Sequence, residues 1–149
     1  KIINKILDYF VEKILDKKGK NLLYKERPKP ITWNEIEKLS KNPIISFQSH
    51  SVTHTAVSSL SENEIEDEMI KSKKIIEQHT EAKVHSFCYP YGAKKSIGKY
   101  APKIAAKHYD SAVTLMRGRL KKNNPFYLPR IDLYSEDSAG FVRLKVILN

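Results

Sequence analysis

Apolar residues recur at Ile3, Ile6, Leu7, Phe10, Ile14 and Leu15, the spacing of one stripe along an amphipathic helix, and predict a helix over residues 2–18. Lys17, Lys18 and Gly19 close it, cations first and then a residue that tolerates positive φ. Arg27-Pro28-Lys29-Pro30 is a loop, since its prolines resist both helix and central strand. Thr32-Trp33-Asn34-Glu35 has the pattern of a capping box. The short helix it opens is expected to bury Trp33 or Ile36 together with Leu39, with Pro43 after its end. The β-branched and aromatic run Ile44-Ile45-Ser46-Phe47 predicts a strand. Ser61-Glu62-Asn63-Glu64 is a second capping box, after which Ile65, Met69, Ser72 and Ile76 trace one helical face to about His79. A second strand is predicted over 84–89, closed by Pro90-Tyr91-Gly92. Pro102 marks the first turn of a short helix with Ile104 and Ala105. A third strand follows at 111–115, a basic loop at 117–124 and a fourth strand at 128–133. Ser138 caps a last helix carrying Phe141, Leu144 and Leu148.

Strands that alternate with helices predict an α/β fold with a largely parallel sheet and crossover helices. A chain of 149 residues suits a single domain over 1–149, and 40% hydrophobic residues suffice for a core. Neither a repeat nor a dividing linker is visible. No apolar run is long enough to span a membrane, and no signal peptide is visible. The first residue is Lys1 rather than Met, which suggests a piece of a longer product.

The formal charge of +10 admits two readings, a lysine-rich solvated surface or a polyanion partner. The lysines are scattered among glutamates and no compact basic block with interleaved aromatics occurs, so no nucleic-acid partner is expected. Cys88 is alone, which excludes an internal disulfide framework and a multi-cysteine zinc site and leaves the compartment open.

The strongest chemical signal is His50-Ser51-Val52-Thr53-His54. Imidazoles at i and i+4 lie on one side of a helical turn, where both can reach one divalent ion such as zinc. By itself the spacing is weak evidence, since most such pairs are surface or hydrogen-bonded histidines. Its place after the 44–47 strand favours function, because α/β sites gather at the carboxyl ends of parallel strands. Ser49 and Ser51 flank the first histidine and are placed to hold its ring. Tyr89-Pro90-Tyr91-Gly92 alone reads as a strand-ending turn, and His79, His85 and His108 as solvated or structurally bonded.

Phe47-Gln48-Ser49-His50-Ser51-Val52-Thr53-His54 with Leu60-Ser61 resembles the metal-binding motif of the polysaccharide deacetylases, carbohydrate esterase family 4. Phe87-Cys88-Tyr89-Pro90-Tyr91-Gly92 resembles that family's next motif, and 108–114 its returning helix and strand. Leu128-Pro129-Arg130-Ile131 resembles a later strand, and 31–36 the helix before the histidines. The resemblance implies a deformed (β/α) barrel, incomplete here at its N-terminus, and a mononuclear divalent metal, zinc foremost. His50 and His54 match the two metal histidines; the family's third ligand is an aspartate. The reaction implied is removal of N-acetyl groups from a glycan. Tyr91 would be the catalytic position, through its backbone N–H, and Pro90, Gly92 and Arg130 would be substrate-binding.

Three departures stand out. The family's leading Asp-Asp strand, source of the general base and the aspartate ligand, has no counterpart before His50. Cys88 stands where many relatives have arginine, and the late Leu-His motif is missing. Two imidazoles without the carboxylate make a weak metal site, so the chain on its own is expected to be catalytically silent. The alternative is a non-catalytic glycan-binding relative that stacks sugars on Trp33, Tyr89 or Tyr91. An incomplete barrel exposes a parallel edge, so its own N-terminal segment or a second copy is the expected partner, besides an acetylated glycan. A cell-envelope location is implied by the resemblance alone.

Overall fold

The computed structural model describes residues 29–118, 120, 124–131 and 137–147. The helix expected over 2–18 lies outside these, as do Leu148 and the end of the strand expected over 128–133. The described residues from Trp33 onward belong to one compact unit.

The first described helix, α1 (Trp33–Ser40), buries none of its residues. Trp33 is 41% and Leu39 39% exposed, so the expected burial of Trp33 or Ile36 with Leu39 does not occur. The helix is held by aromatic stacking and a hydrogen bond instead. The Trp33 ring lies over the His79 imidazole at 4.0 Å and 12°, and His79 Nδ1 lies 2.8 Å from Glu37 Oε1.

After a short 3-10 turn (Val57–Ser59) comes α2 (Glu62–Thr80). Its capping box forms as the sequence suggests. The Ser61 hydroxyl accepts from the Glu64 N–H, and the Ser61 N–H donates to Glu64 Oε2 at 2.8 Å. Ile65, Met69 and Ser72 are buried along one face. Glu81, in the left-handed conformation, ends the helix, and Glu77 Oε1 accepts from the Val84 N–H at 3.0 Å, steering the chain into the sheet.

The sheet has two named strands, β1 (Ser86–Cys88) and β2 (Ser111–Val113), paired in parallel with Phe87 opposite Ala112. Single parallel bridges extend it on both sides, Ser49 to Phe87 and Val113 to Leu128. Four segments therefore lie side by side in chain order. The short α3 (Lys94–Ile97) and α4 (Ala101–His108) cross between β1 and β2. The last helix, α5 (Ala139–Ile147), begins where Ser138 Oγ accepts from the Phe141 N–H.

The strand expected at 44–47 does not form; Ile44 is 88% exposed and only Ser49 enters the ladder. A side chain replaces the missing backbone rungs. Gln48 Oε1 accepts from both the His85 and Ser86 N–H groups, at 3.0 and 2.8 Å. β1 and β2 are shorter than the strands expected over 84–89 and 111–115.

The core lies between the sheet and α2 with α4, where Val57, Ile65, Met69, Phe87, Tyr89, Ile97, Ile104 and Ala112 are buried. Each large apolar side chain buried this way stabilises by about 1.5–3 kcal/mol. Phe87 packs edge-on against Tyr89 and tilted against Tyr109, both at 5.4 Å. The polar atoms under this face are paired. Tyr109 Oη donates to Met69 O (2.7 Å) and lies 3.0 Å from Ser49 Oγ, the Ser49 and Ser72 hydroxyls lie 2.5 Å apart, and Tyr89 Oη donates to Phe126 O.

Burial raises the phenols of Tyr89, Tyr109 and Tyr127 above their ordinary value. The folded state thus keeps protons that the unfolded chain releases. The stability linked to these groups is complete below about pH 10, the ordinary tyrosine value, and is lost as pH rises toward the folded values. Denaturant melts across a pH series should show a midpoint falling above about pH 10, and Tyr89→Phe should shallow that fall. An unchanged slope in the variant would count against this account.

Candidate functional site

The expected site residues sit at the carboxyl ends of adjacent parallel segments, and the sheet register decides who meets whom. Cys88 N–H donates to Ser49 O at 2.8 Å. The next residue, His50, is thereby placed beside Cys88, and its Nδ1 lies 2.7 Å from Cys88 O. A carbonyl can only accept, so Nδ1 carries the proton, and in the neutral ring the free lone pair is on Nε2. The Cys88 thiol first, and its carbonyl after it, hold the His50 pKa above its ordinary value against the opposing effect of burial.

His50 and His54 do converge, with ring centroids 4.9 Å apart at 74°. The helical turn expected to bring them together is absent. Residues 50–54 form an irregular loop in which Ser51 (φ 64°) and His54 (φ 56°) are left-handed. Ser49 and Ser51 do not hold the His50 ring either. Ser49 points into the core, and Ser51 Oγ accepts from the His54 N–H at 3.0 Å. The carbonyl of Cys88, a backbone group that residue type cannot announce, takes that part.

A further residue escaped the sequence reading. Glu68 Oε2 accepts from the Val52 and Thr53 N–H groups at 2.8 and 2.9 Å, fastening the loop to α2. Burial pushes this carboxyl up, but the Thr53 and Val52 donors outweigh it and hold it below its ordinary value. A signal existed: Glu68 is three residues after Ile65 and four before Ser72, so an acid shares the buried helical face.

In the following turn Tyr89 and Pro90 are fully buried, while Tyr91 (φ 61°) is 58% exposed with its ring 4.9 Å from that of His54. Gly92 is buried at φ 55° and its carbonyl accepts from the Leu115 N–H. A Cβ there would lie 2.5 Å from Leu115 N, so both conformation and space require glycine. Arg130 Nε donates to Thr114 O at 2.7 Å, fixing the side chain across β2's end. Its charge reaches Cys88: burial pushes that thiol up, but His50 and Arg130 together hold it below its ordinary value.

His50, His54, Tyr91, Gly92 and Arg130 are thus brought to one end of the sheet, with Pro90 beneath. His79, His85 and His108 lie elsewhere, bonded to Glu37, Asp110 and Glu66. Among the described residues no three His, Cys, Asp or Glu side chains converge as metal ligands. The donor chemistry of the pair suits zinc, but it supplies two of the three protein ligands a catalytic zinc ordinarily has.

Residues 9–109 match the family model described as polysaccharide deacetylase. The deacetylase PplD of Streptococcus pyogenes, solved with acetate, is similar in structure with a TM-score of 0.70 and 22% identity, over 84% of this chain and 54% of that one. A polysaccharide deacetylase of Bacillus cereus has a TM-score of 0.70 and 18% identity, over 96% of this chain and 47% of that one. A de-N-acetylase of Aggregatibacter actinomycetemcomitans gives 0.64 and 15%, over 77% and 53%. The chain spans about half the length of these solved proteins. No curated protein matches it.

Gly92→Ala should destabilise the fold by about 1–3 kcal/mol through left-handed strain and the clash with Leu115. A denaturant melt within about 0.5 kcal/mol of wild type would show that the turn relaxes freely.

Proposed function

The chain belongs to the polysaccharide deacetylase family, and we propose that it carries the two-histidine part of a metal-dependent site that removes N-acetyl groups from a glycan. The observation that carries this is the facing His50–His54 pair with the His50 Nδ1 proton committed to Cys88 O. That bond leaves Nε2 as the ligating atom and fixes the ring, as metal-bound imidazoles generally require.

His50 and His54 would hold the ion, zinc foremost. When bound, it polarises the scissile carbonyl and makes water a nucleophile near neutral pH. The chain's own groups would do the rest. The left-handed conformation of Tyr91 presents the turn's backbone at the exposed rim, where its N–H can donate to the oxyanion of the tetrahedral state. No described residue accepts from that N–H. The buried Pro90 and Gly92 give the turn its shape, so their part in substrate binding is indirect. The Arg130 charge, anchored by Thr114 O, would orient polar groups of the substrate.

The third ligand and general base would be a carboxylate outside the described residues, on a segment that completes a (β/α) barrel or on a second copy. A second reading, glycan binding without turnover, draws on the exposed ring of Tyr91 beside the pair and on the lack of a third ligand among the described residues. The substrate would be an acetylated polymer in either case.

The test is metal content after zinc loading, with acetate release from an acetylated glycan measured alongside. Wild type should retain zinc. A His50→Ala, His54→Ala double variant should lose it while melting within about 1 kcal/mol of wild type, because both residues are exposed. Equal metal in both proteins would detach the ion from this pair. Glycan retention with neither metal nor acetate release would favour the binding reading.

A further inference from the structure

The proposed chemistry assigns no part to Glu68. One of its carboxylate oxygens takes two consecutive backbone N–H groups, those of Val52 and Thr53, between the two histidines. The loop it takes hold of is strained. Ser51 and His54 are both left-handed without being glycine, at φ 64° and 56°. Such a backbone persists only where its surroundings fix it, at about 1–3 kcal/mol per residue. The other bonds within it are local: Ser51 Oγ to the His54 N–H, and Thr53 Oγ1 to Thr55 Oγ1.

Glu68 is the tie from this loop to a rigid element. It stands on α2 next to the fully buried Met69, one turn from buried Ile65 and Ser72. The helix is fixed at its start by the Ser61 capping box. His50 is already fixed by Cys88 O. Among the described residues no hydrogen bond anchors the His54 ring, which meets His50 and Tyr91 edge-on; its position depends on the path of 51–53, the stretch that Glu68 holds.

We propose that Glu68 is a positioning residue that sets the separation of the two imidazoles, so that both can serve one divalent cation. The inference rests on the metal reading of His50 and His54.

Copper(II) is the probe, because electron paramagnetic resonance counts the imidazole nitrogens bound to it. Wild type should show two imidazoles on one ion, and His54→Ala one. Glu68→Ala should also show one, with copper and zinc affinities lowered about 10- to 100-fold, the usual effect of removing a partner outside the ligand shell. Glu68→Gln keeps an oxygen able to accept both N–H groups and should stay within about threefold of wild type. It also serves if the alanine variant fails to fold. A two-imidazole signal and an unchanged affinity in folded Glu68→Ala would overturn the proposal and leave the metal reading standing. Glu68→Gln as impaired as Glu68→Ala would also overturn it, in favour of an effect of charge. A wild type lacking the two-imidazole signal would end both.

Discussion

One constraint organises this site: the parallel register that lets Cys88 N–H reach Ser49 O. That rung aligns the end of an otherwise unpaired segment with the end of β1. The carbonyl of Cys88 then accepts a hydrogen bond from the His50 Nδ1–H, and the turn after Cys88 rises beside His54. A slip of one residue would turn Ser49 out of the core and His50 into it. The register is fixed from below. Ser49 bonds Ser72 and Tyr109, and Gln48 caps two N–H groups of the neighbouring strand.

The cost of the arrangement is visible in the backbone. Among the described residues, four non-glycine positions have positive φ: Ser51, His54, Tyr91 and Glu81. Glu81 ends a helix, where that conformation is ordinary. The other three belong to the two loops that meet at the histidine pair. Strain concentrated at one end of a sheet, and offset by a packed core under the other face, is the distribution expected of a functional corner. The core supplies the rigidity: Phe87, Tyr89 and Tyr109 interlock, and every described buried side-chain polar atom finds a partner.

Much of this was legible in the chain. The Ser61 capping box and the buried stripe of Ile65, Met69 and Ser72 follow from spacing alone and give α2 as expected. The β-α alternation gave the parallel pairing, and the His-x-x-x-His and Tyr-Pro-Tyr-Gly patterns marked two loops that do meet. The failures share a physical origin. Ile44-Ile45-Ser46-Phe47 has strand composition, but the ladder begins only at Ser49, with the Gln48 amide standing in for the backbone. Spacing suggested a helical turn for the histidines, whereas a local bond from Ser51 and tertiary bonds from Glu68 hold a path with left-handed residues, and the rings still converge. Trp33 looked like core and instead stacks on an imidazole at the surface. Periodicity reports which face is apolar; it does not report bonds between side chains and distant backbone.

The account stands or falls on which nitrogen of His50 is free. Two-dimensional nitrogen–proton correlation spectra of the imidazoles, recorded above the histidine pKa and with and without zinc, read this directly. The prediction is the Nδ1-protonated tautomer for His50 in the metal-free protein, and a zinc-induced shift confined to its Nε2 and to one nitrogen of His54. An Nε2-protonated His50, or spectra that zinc leaves unmoved, would contradict it.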